Sequence, residues 1–171
     1  MQEIYVENTA EVLKNKSRLE KELNIKITNK GKNIFIKGDS EDEFLALKFM
    51  EAINLGFSSN QALHLKQENM ILQALNIKDI TKRHDLERVR ARIIGTKGKT
   101  LQTLSNLTNC NLSLHDNKVG IIGDAEEIAD AIQAITSLVN GSKQGNVYSR
   151  LERHKKEKRL DEKIPIKNEL E

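Results

Sequence analysis

The segment RVRARIIGTKGKT, residues 88–100, joins two helical patterns through a loop that holds Gly95 and Gly98. Apolar residues recur at helical spacing ahead of the loop, which predicts a helix over residues 86–94. Glycines have no Cβ and let another main chain approach closely, and the next helix begins with unpaired N–H groups and a positive dipole end. The segment is therefore predicted to bind a phosphate backbone.

Positive charge is concentrated around this loop. Residues 82–100 contain seven Lys and Arg and two Asp and Glu, a net charge of +5, whereas the whole chain of 171 residues carries only +3. Arg88 and Arg92 are four positions apart and are expected on one helix face. Two structural interpretations stay open here, a tight turn between helices and an ordinary solvated helix face.

An internal repeat runs through the chain with an offset of 85 positions and no gap. Each copy predicts a helix, a strand, a tight turn, a second strand and a long amphipathic helix. The predicted fold class is α+β, with two tandem units that are each a three-stranded sheet covered by helices. The matched pairs include Ile34 and Val119, Ile36 and Ile121, Gly38 and Gly123, and Asp39 and Asp124.

The two copies differ at their front ends. The second copy is predicted to start with a strand over residues 75–79, and the first with a strand over residues 2–6. Positions 10–13 are equivalent to the glycine loop but contain no glycine, so the first unit is predicted to lack it. The connector, residues 56–74, is predicted to be helical. The expected boundaries are 1–70 for the first unit, 71–145 for the second and 146–171 for a basic tail.

Composition excludes several classes of protein. Hydrophobic residues make up 37% and charged residues 31%, and no membrane span or signal peptide pattern is present, so a cytoplasmic location is expected. The single cysteine, Cys110, excludes an internal disulfide and a cysteine-based zinc site. Cys110 matches Ile25 in the repeat, which predicts a buried thiol. The four histidines show no metal-ligand spacing and are expected at the surface.

Signatures of catalysis are missing from the sequence. It has no P-loop, clustered carboxylate pair or nucleophile motif, so we expect no enzyme activity and no cofactor or metal. A second Gly-x-x-Gly, at 120–123, falls in a predicted strand and is interpreted as structural. No aromatic residue lies between Gly95 and Gly145, which disfavours modules that stack bases on aromatic side chains. A groove lined by aliphatic side chains with a glycine clamp at its edge is favoured instead.

Residues 92–100, the helix after them and the strands around 112–114 and 119–123 resemble a type I KH domain. With two units and the ending Val147-Tyr148, the chain is similar to the archaeal and eukaryotic KH-domain family of small-subunit ribosome assembly factors. The resemblance is specific over about residues 71–152. It implies two type I KH-like units, of which the first lacks the clamp and is expected to act as a scaffold.

The resemblance implies a non-catalytic protein that binds single-stranded RNA near the 3′ end of small-subunit ribosomal RNA and positions it for processing. The implied partners are this RNA, the endonuclease that cuts there, and other assembly or translation initiation proteins; a monomer is expected. The implied clamp is Gly95, Thr96, Lys97 and Gly98. Phosphate contacts are implied for Arg88, Arg92 and Lys99, and a groove wall for Ile94, Leu112 and Leu114.

Two alternatives stay open at this level: a general KH-domain regulator of messenger RNA, and a protein-interaction scaffold that has lost RNA binding. The tail is equally open. Residues 150–159 carry a net charge of +4, and Val147, Leu151 and Leu160 form a sparse helical stripe. The tail is expected either to extend the RNA footprint or to be a solvated, frayed end that includes Glu169 and Glu171.

Overall fold

A computed structural model describes residues 1–164 of the chain. The first half alternates short strands and helices around one sheet. Its elements are β1 (Gln2–Tyr5), α1 (Thr9–Lys14), α2 (Lys16–Glu22), β2 (Lys26–Lys30), β3 (Asn33–Lys37) and α3 (Ser40–Asn54).

The second half follows a short connector and carries the glycine loop. The connector contains α4 (Ser59–Ala62) and a 3-10 turn (Leu63–Lys66). The elements after it are β4 (Met70–Asn76), α5 (Ile77–Ile80), α6 (Leu86–Ile94), a second 3-10 turn (Thr96–Gly98), α7 (Lys99–Thr108), β5 (Asn111–His115), β6 (Lys118–Asp124), α8 (Ala125–Val139) and α9 (Gln144–Glu162).

Each half contains an antiparallel three-stranded sheet with the same arrangement. The order is β1-β3-β2 in the first sheet and β4-β6-β5 in the second. Ile27 lies opposite Ile36 in the first sheet, and Leu112 lies opposite Ile121 in the second. These pairs are 85 positions apart, so the repeat seen in the sequence corresponds to equivalent places in the sheets. The predicted α+β class, with two three-stranded sheets and helices, is confirmed.

The helices bury one face of the first sheet. Ile34 and Ile36 of β3 are fully buried together with Leu19 of α2 and Phe49 of α3. The alternate residues of β3 point to the other face and stay partly or fully exposed. One half-buried sheet face of this kind is what alternating apolar and polar residues produce.

The central strand of the second sheet, β6, is buried on both faces. Val119 and Ile121 of β6 belong to a core with α6, α7 and α8, whereas Ile122, on the opposite face, belongs to the core of the first half. Gly120 also faces the first half, where a Cβ would lie 2.6 Å from the Phe57 ring. The second Gly-x-x-Gly is therefore structural, in agreement with its interpretation from the sequence.

Two predicted elements have different bounds. The strand expected at 75–79 is β4, which begins at Met70 and ends at Asn76, and the following four residues are helical. The Asn76 side chain accepts a hydrogen bond from the Lys78 amide at 3.0 Å, which starts this helical turn. The connector is helical only to Lys66, because residues 70–74 pair with β6 in the sheet.

Helix α9 packs along the second core and includes most of the expected basic tail. Val147 and Leu151 are buried, whereas Leu160 is exposed, so the predicted apolar stripe holds for its first two positions. His154 and Lys158 contact Asp130 of α8 at 2.8 and 3.0 Å. These contacts show that the first part of the tail is ordered against α8. Glu169 and Glu171 lie outside the described residues.

No helix within residues 1–164 is long and apolar enough to cross a membrane. Cys110 is buried, as its match to the buried Ile25 predicted. Burial raises the pKa of the Cys110 thiol to about 11. The neutral thiol is thus the form that the folded protein favours.

We expect Gly120→Ala to lower the free energy of unfolding by about 1–3 kcal/mol, because the new methyl group overlaps the rigid Phe57 ring. Gly145→Ala is the matched control: it lies near the start of α9 with open space around it, so its unfolding free energy should stay equal or rise. Urea denaturation measures both. Equal stability of the two variants would contradict the packing described for β6.

The Cys110 thiol should react slowly with iodoacetamide at pH 8 in the folded protein, and rapidly in urea, because burial keeps it protonated and inaccessible. Since its folded pKa lies above the unfolded value, its contribution to stability is present below about pH 8.5 and decreases as the pH rises toward 11. Mass spectrometry of the alkylated protein over time checks the first point. Equal rates in both states would show an exposed thiol.

Candidate nucleic-acid interface

The glycine loop is a single 3-10 turn between two helices. α6 ends at Ile94, Gly95 has a φ of 73°, and α7 begins at Lys99. Lys97 and Gly98 also have positive φ, 55° and 73°. Glycine adopts positive φ values without steric cost, whereas lysine rarely does. Lys97 therefore has a sparsely populated backbone conformation at the tip of the loop.

The first glycine is required by close packing. A Cβ on Gly95 would overlap the hydroxyl of Thr100 and would lie 2.8 Å from the Thr100 amide nitrogen. Thr100 is only 4% exposed, although a polar residue in the first turn of a surface helix is ordinarily expected in solvent. It lies in the space that the missing side chain of Gly95 leaves. Gly95 thus allows the start of α7 to fold back against the end of α6.

The second glycine faces open space. A Cβ on Gly98 would meet no other atom within 4 Å. Gly98 therefore leaves the surface clear beside the first turn of α7, where the helix dipole is positive. The two glycines have different roles: Gly95 is needed for the turn itself, and Gly98 keeps the helix start accessible to another main chain.

A distant residue holds the two helices of the loop together. The Gln144 side chain, at the start of α9, donates to the Arg92 carbonyl at 3.2 Å and to the Thr100 hydroxyl at 3.1 Å. The Arg92 guanidinium in turn donates to the Ser142 carbonyl at 2.6 Å. Sequence analysis missed Gln144, because it is 44 positions from Thr100 and belongs to no local motif.

The positive charges near the loop divide into neutralised and free ones. Arg83 makes a two-pronged pair with Asp85 at 3.0 Å, and this hydrogen bond lowers the pKa of the Asp85 carboxyl. Arg88, Lys97 and Lys99 are exposed and have no carboxylate within 4 Å among residues 1–164. Lys97 and Lys99 thus place positive charge at the loop itself, whereas Arg88 lies in the first turn of α6.

Arg90 connects α6 to the turn between β5 and β6. Its guanidinium donates to the Asn117 side chain at 2.6 Å. Asp116, beside it in the turn, has a φ of 51°. This contact fixes the turn on the side of the second unit where α6 lies. Arg90 was not among the predicted site residues, and its spacing from Asn117 gave no sequence signal.

The three predicted aliphatic wall residues differ in exposure. Ile94 is 38% exposed at the end of α6, next to the loop. Leu112 is 8% exposed and belongs to the second core, and Leu114 is partly buried against the same core. The structure thus gives Ile94 an accessible side chain, whereas Leu112 offers little surface and serves mainly to pack β5.

The first unit has a helix where the second has its loop. Positions 10–13 lie within α1, and Val12 is fully buried in the first core. A break follows at Asn15, where α2 starts without a glycine turn. This segment therefore offers no surface equivalent to the loop of the second unit.

The histidines are partly or fully exposed and are not grouped. His115 contacts Glu7 at 3.0 Å, and His64 contacts Asn111 at 2.8 Å. Both contacts join the first half of the chain to β5. No group of three or more metal-binding side chains occurs in the part of the chain that the structure describes.

A family model described as a eukaryotic-type KH domain (KH-domain type I) matches residues 71–156. The match covers the second sheet, the glycine loop and the first part of α9.

Individual proteins are similar over a larger part of the chain. A KH domain-containing protein of Methanocaldococcus jannaschii is 30% identical over 147 residues, which are 82% of this chain and 65% of that protein. The pre-rRNA-processing protein PNO1 of Eremothecium gossypii is 34% identical over 106 residues, 60% of this chain and 40% of that protein. This chain thus spans less than two thirds of the length of these curated relatives.

A solved structure extends the similarity to both halves. In the crystal structure of the a/eIF2alpha-aDim2p-rRNA complex from Pyrococcus horikoshii OT3, the matching chain is 32% identical with a TM-score of 0.82. The match covers 91% of this chain and 94% of that chain. The relative arrangement of the two halves is therefore part of the similarity.

Gly95→Ala and Gly98→Ala should have unequal effects on stability. We expect Gly95→Ala to cost about 2–4 kcal/mol, because it adds a clash with Thr100 to a strained backbone, and Gly98→Ala to cost about 1 kcal/mol from backbone strain alone. Thermal or urea unfolding of the two variants measures the difference. If Gly98→Ala were the more damaging change, the division of roles between the glycines would be wrong.

Proposed function

Since this chain belongs to the PNO1/Dim2-type family of type I KH-domain proteins, we propose that it binds single-stranded ribosomal RNA during small-subunit assembly. In this proposal the RNA lies near the 3′ end of small-subunit ribosomal RNA, and the Gly95–Gly98 loop clamps its backbone. The protein carries out no chemical step itself and positions the RNA for a separate nuclease.

The glycine loop is the observation that carries the proposal. Gly98 leaves the start of α7 open, and Lys97 and Lys99 are exposed beside it without a carboxylate partner in the described range. A helix start with free N–H groups and nearby lysines favours a phosphate group. Arg88, which is exposed on α6, adds a further positive charge. KH loops of this kind clamp roughly four nucleotides.

The two halves of the chain have different tasks in this proposal. Residues 71–145 form the KH unit that clamps RNA, and residues 1–70 form a second KH-like unit without a clamp. The basic residues from 146 onward follow as a tail. The helical α1 at positions 10–13 supports the difference, because it replaces the loop with a packed helix.

Partners follow from the same family relation. The similar chain from Pyrococcus horikoshii is in a complex with a/eIF2alpha and rRNA, and the Eremothecium gossypii relative is named a pre-rRNA-processing protein. We propose that this chain likewise meets a translation initiation protein and the nuclease that acts on the same RNA end. A cytoplasmic monomer is the form in which it would do so.

Replacing Thr96 and Lys97 together with Asp should weaken binding of the 3′-terminal small-subunit rRNA segment by at least about tenfold, because two carboxylates then face the phosphates. The melting temperature should change little, since both side chains are exposed. Fluorescence anisotropy with a labelled RNA measures the affinity. Lys14→Asp with Ser17→Asp is the matched control, because it makes the same change of charge at exposed positions of the first unit.

Crosslinking in cells of the source organism, followed by sequencing of the bound RNA, tests the target. We expect a crosslinking peak at the 3′ end of small-subunit rRNA. The variant with Thr96→Asp and Lys97→Asp, called the loop variant below, should lose this peak. Loop-dependent peaks spread over messenger RNAs would support a general KH regulator instead. If no crosslink depends on the loop, a protein-interaction scaffold would be the remaining hypothesis.

A further inference from the structure

The outer face of the first sheet is open, basic and aromatic. It is the face away from the first core, and its residues are partly or fully exposed. The sheet register places its members on one side of the three strands. They are Glu3 and Tyr5 on β1, Asn33, Phe35 and Lys37 on β3, and Lys26, Thr28 and Lys30 on β2.

The same face of the second sheet is covered at its central strand and at the neighbouring Ser113. The positions equivalent to Thr28 and Phe35 are Ser113 and Gly120. Ser113 donates to the Leu55 carbonyl at 2.9 Å, and Gly120 packs under the Phe57 ring. Small side chains there make room for the connector. The first sheet has larger aromatic and charged side chains at these places, and no segment of residues 1–164 covers them.

The charges on this open face are unbalanced. Lys26, Lys30 and Lys37, with Lys32 at the β2–β3 turn, form no ion pair within the described residues. The single carboxylate on the face, Glu3, accepts a hydrogen bond from Asn33 at 2.8 Å. Lys26 lies directly opposite Lys37 in the sheet. Like charges placed opposite each other destabilise a sheet unless an anion lies between them.

Two aromatic rings lie among these lysines. Tyr5 is 56% exposed, and Phe35 is partly exposed on the central strand. Tyr5 is opposite Asn33, so Tyr5 and Phe35 are diagonal neighbours on one face, and the Cα atoms of such neighbours are about 7–8 Å apart in ordinary sheet geometry. The Lys32 ammonium lies 5.8 Å from the Tyr5 ring centre, and such an exposed contact is weak enough for a planar base to replace.

We propose that this face is a second binding surface for single-stranded RNA. Bases would stack on Tyr5 and Phe35, and the phosphates would lie near Lys26, Lys30 and Lys37. Aromatic platforms flanked by lysines bind single strands with little dependence on sequence. The inference goes beyond the glycine clamp, although it rests on the proposed function in taking RNA as the ligand.

The neighbouring cleft is not part of the surface. It lies between the two halves, with a volume of ≈ 790 Å³, and Tyr5 is at its edge. Four carboxylates line it, against the side chains of Lys78, Lys118 and His115. This balance repels a polyanion. The single-stranded RNA would therefore cross the open sheet face and avoid the cleft.

The test compares two RNAs of one sequence, the 3′-terminal small-subunit rRNA segment cut to about 6 and about 20 nucleotides, because one clamp accounts for only roughly four. In the full chain, Tyr5→Ala with Phe35→Thr should weaken binding of the longer RNA by about tenfold and leave the shorter RNA unchanged. The control is Phe44→Ala, an exposed aromatic residue on α3. Anisotropy measures all affinities.

A second variant avoids the risk that changing Phe35 unfolds the sheet. Lys26→Gln with Lys37→Gln removes an unfavourable pair, so the fold should hold, and the salt dependence of binding the longer RNA should fall by about 1.4 in log–log slope. Lys14→Gln with Lys21→Gln is the matched control on exposed helix positions. Its slope should equal that of the unchanged protein.

The outcomes separate this inference from the proposed function. One outcome is that the loop variant weakens binding of both RNAs while the aromatic and the lysine variants of the sheet bind like their controls. In that case the glycine clamp is supported, the RNA surface on the sheet is refuted, and the open face binds something other than RNA, such as an acidic protein. If the unchanged protein binds neither RNA, or if the loop variant leaves binding of the short RNA intact, the proposed function fails. Loss confined to the longer RNA in both sheet variants establishes the second surface.

Discussion

The central strand of the second sheet, β6, is buried on both faces, and the rest of the molecule depends on it. Val119 and Ile121 close the core of the second half, while Gly120 and Ile122 face the first half. A strand buried on both sides fixes two layers of packing at once. Since Phe57 lies where a Cβ on Gly120 would be, the two halves approach more closely than larger side chains would allow. The direction of the glycine loop relative to the first sheet follows from this contact.

Within the glycine loop, some residues form the turn and others are exposed for binding. Gly95 allows the start of α7, with Thr100, to pack against the end of α6. Gln144, at the start of α9, holds this turn by a hydrogen bond to Thr100. Gly98, Lys97 and Lys99 are left at the surface. The supporting part is built from partly buried hydrogen bonds and from close packing of Gly95 against Thr100, and these contacts position the exposed part. A site organised in this way loses little entropy when a ligand binds.

The two halves share one sequence pattern but expose different surfaces to solvent. In the second half the glycine loop faces solvent, and the outer face of the sheet is covered at its central strand. In the first half the loop is replaced by α1, and the outer face of the sheet is open, with Tyr5, Phe35 and lysines that form no ion pair within residues 1–164. Small residues stand where the second sheet is covered, and large or charged residues where the first sheet is open. Each surface is thus matched to its surroundings by the choice of side chains on the same scaffold.

The sequence by itself determined the repeat, the α+β class, the bounds of α6 and the position of the glycine loop, because these depend on local periodicity and on residues without a Cβ. The start of β4 was missed because strand pairing with β6, and not local propensity, decides it. The burial of Thr100, the role of Gln144 and the low exposure of Leu112 were also beyond local patterns. Only the tertiary structure decided which sheet face is covered and which is open, since this depends on contacts between residues far apart in the chain. Charge and aromatic character can be read at each position, but whether they form one surface is fixed by how the strands pair.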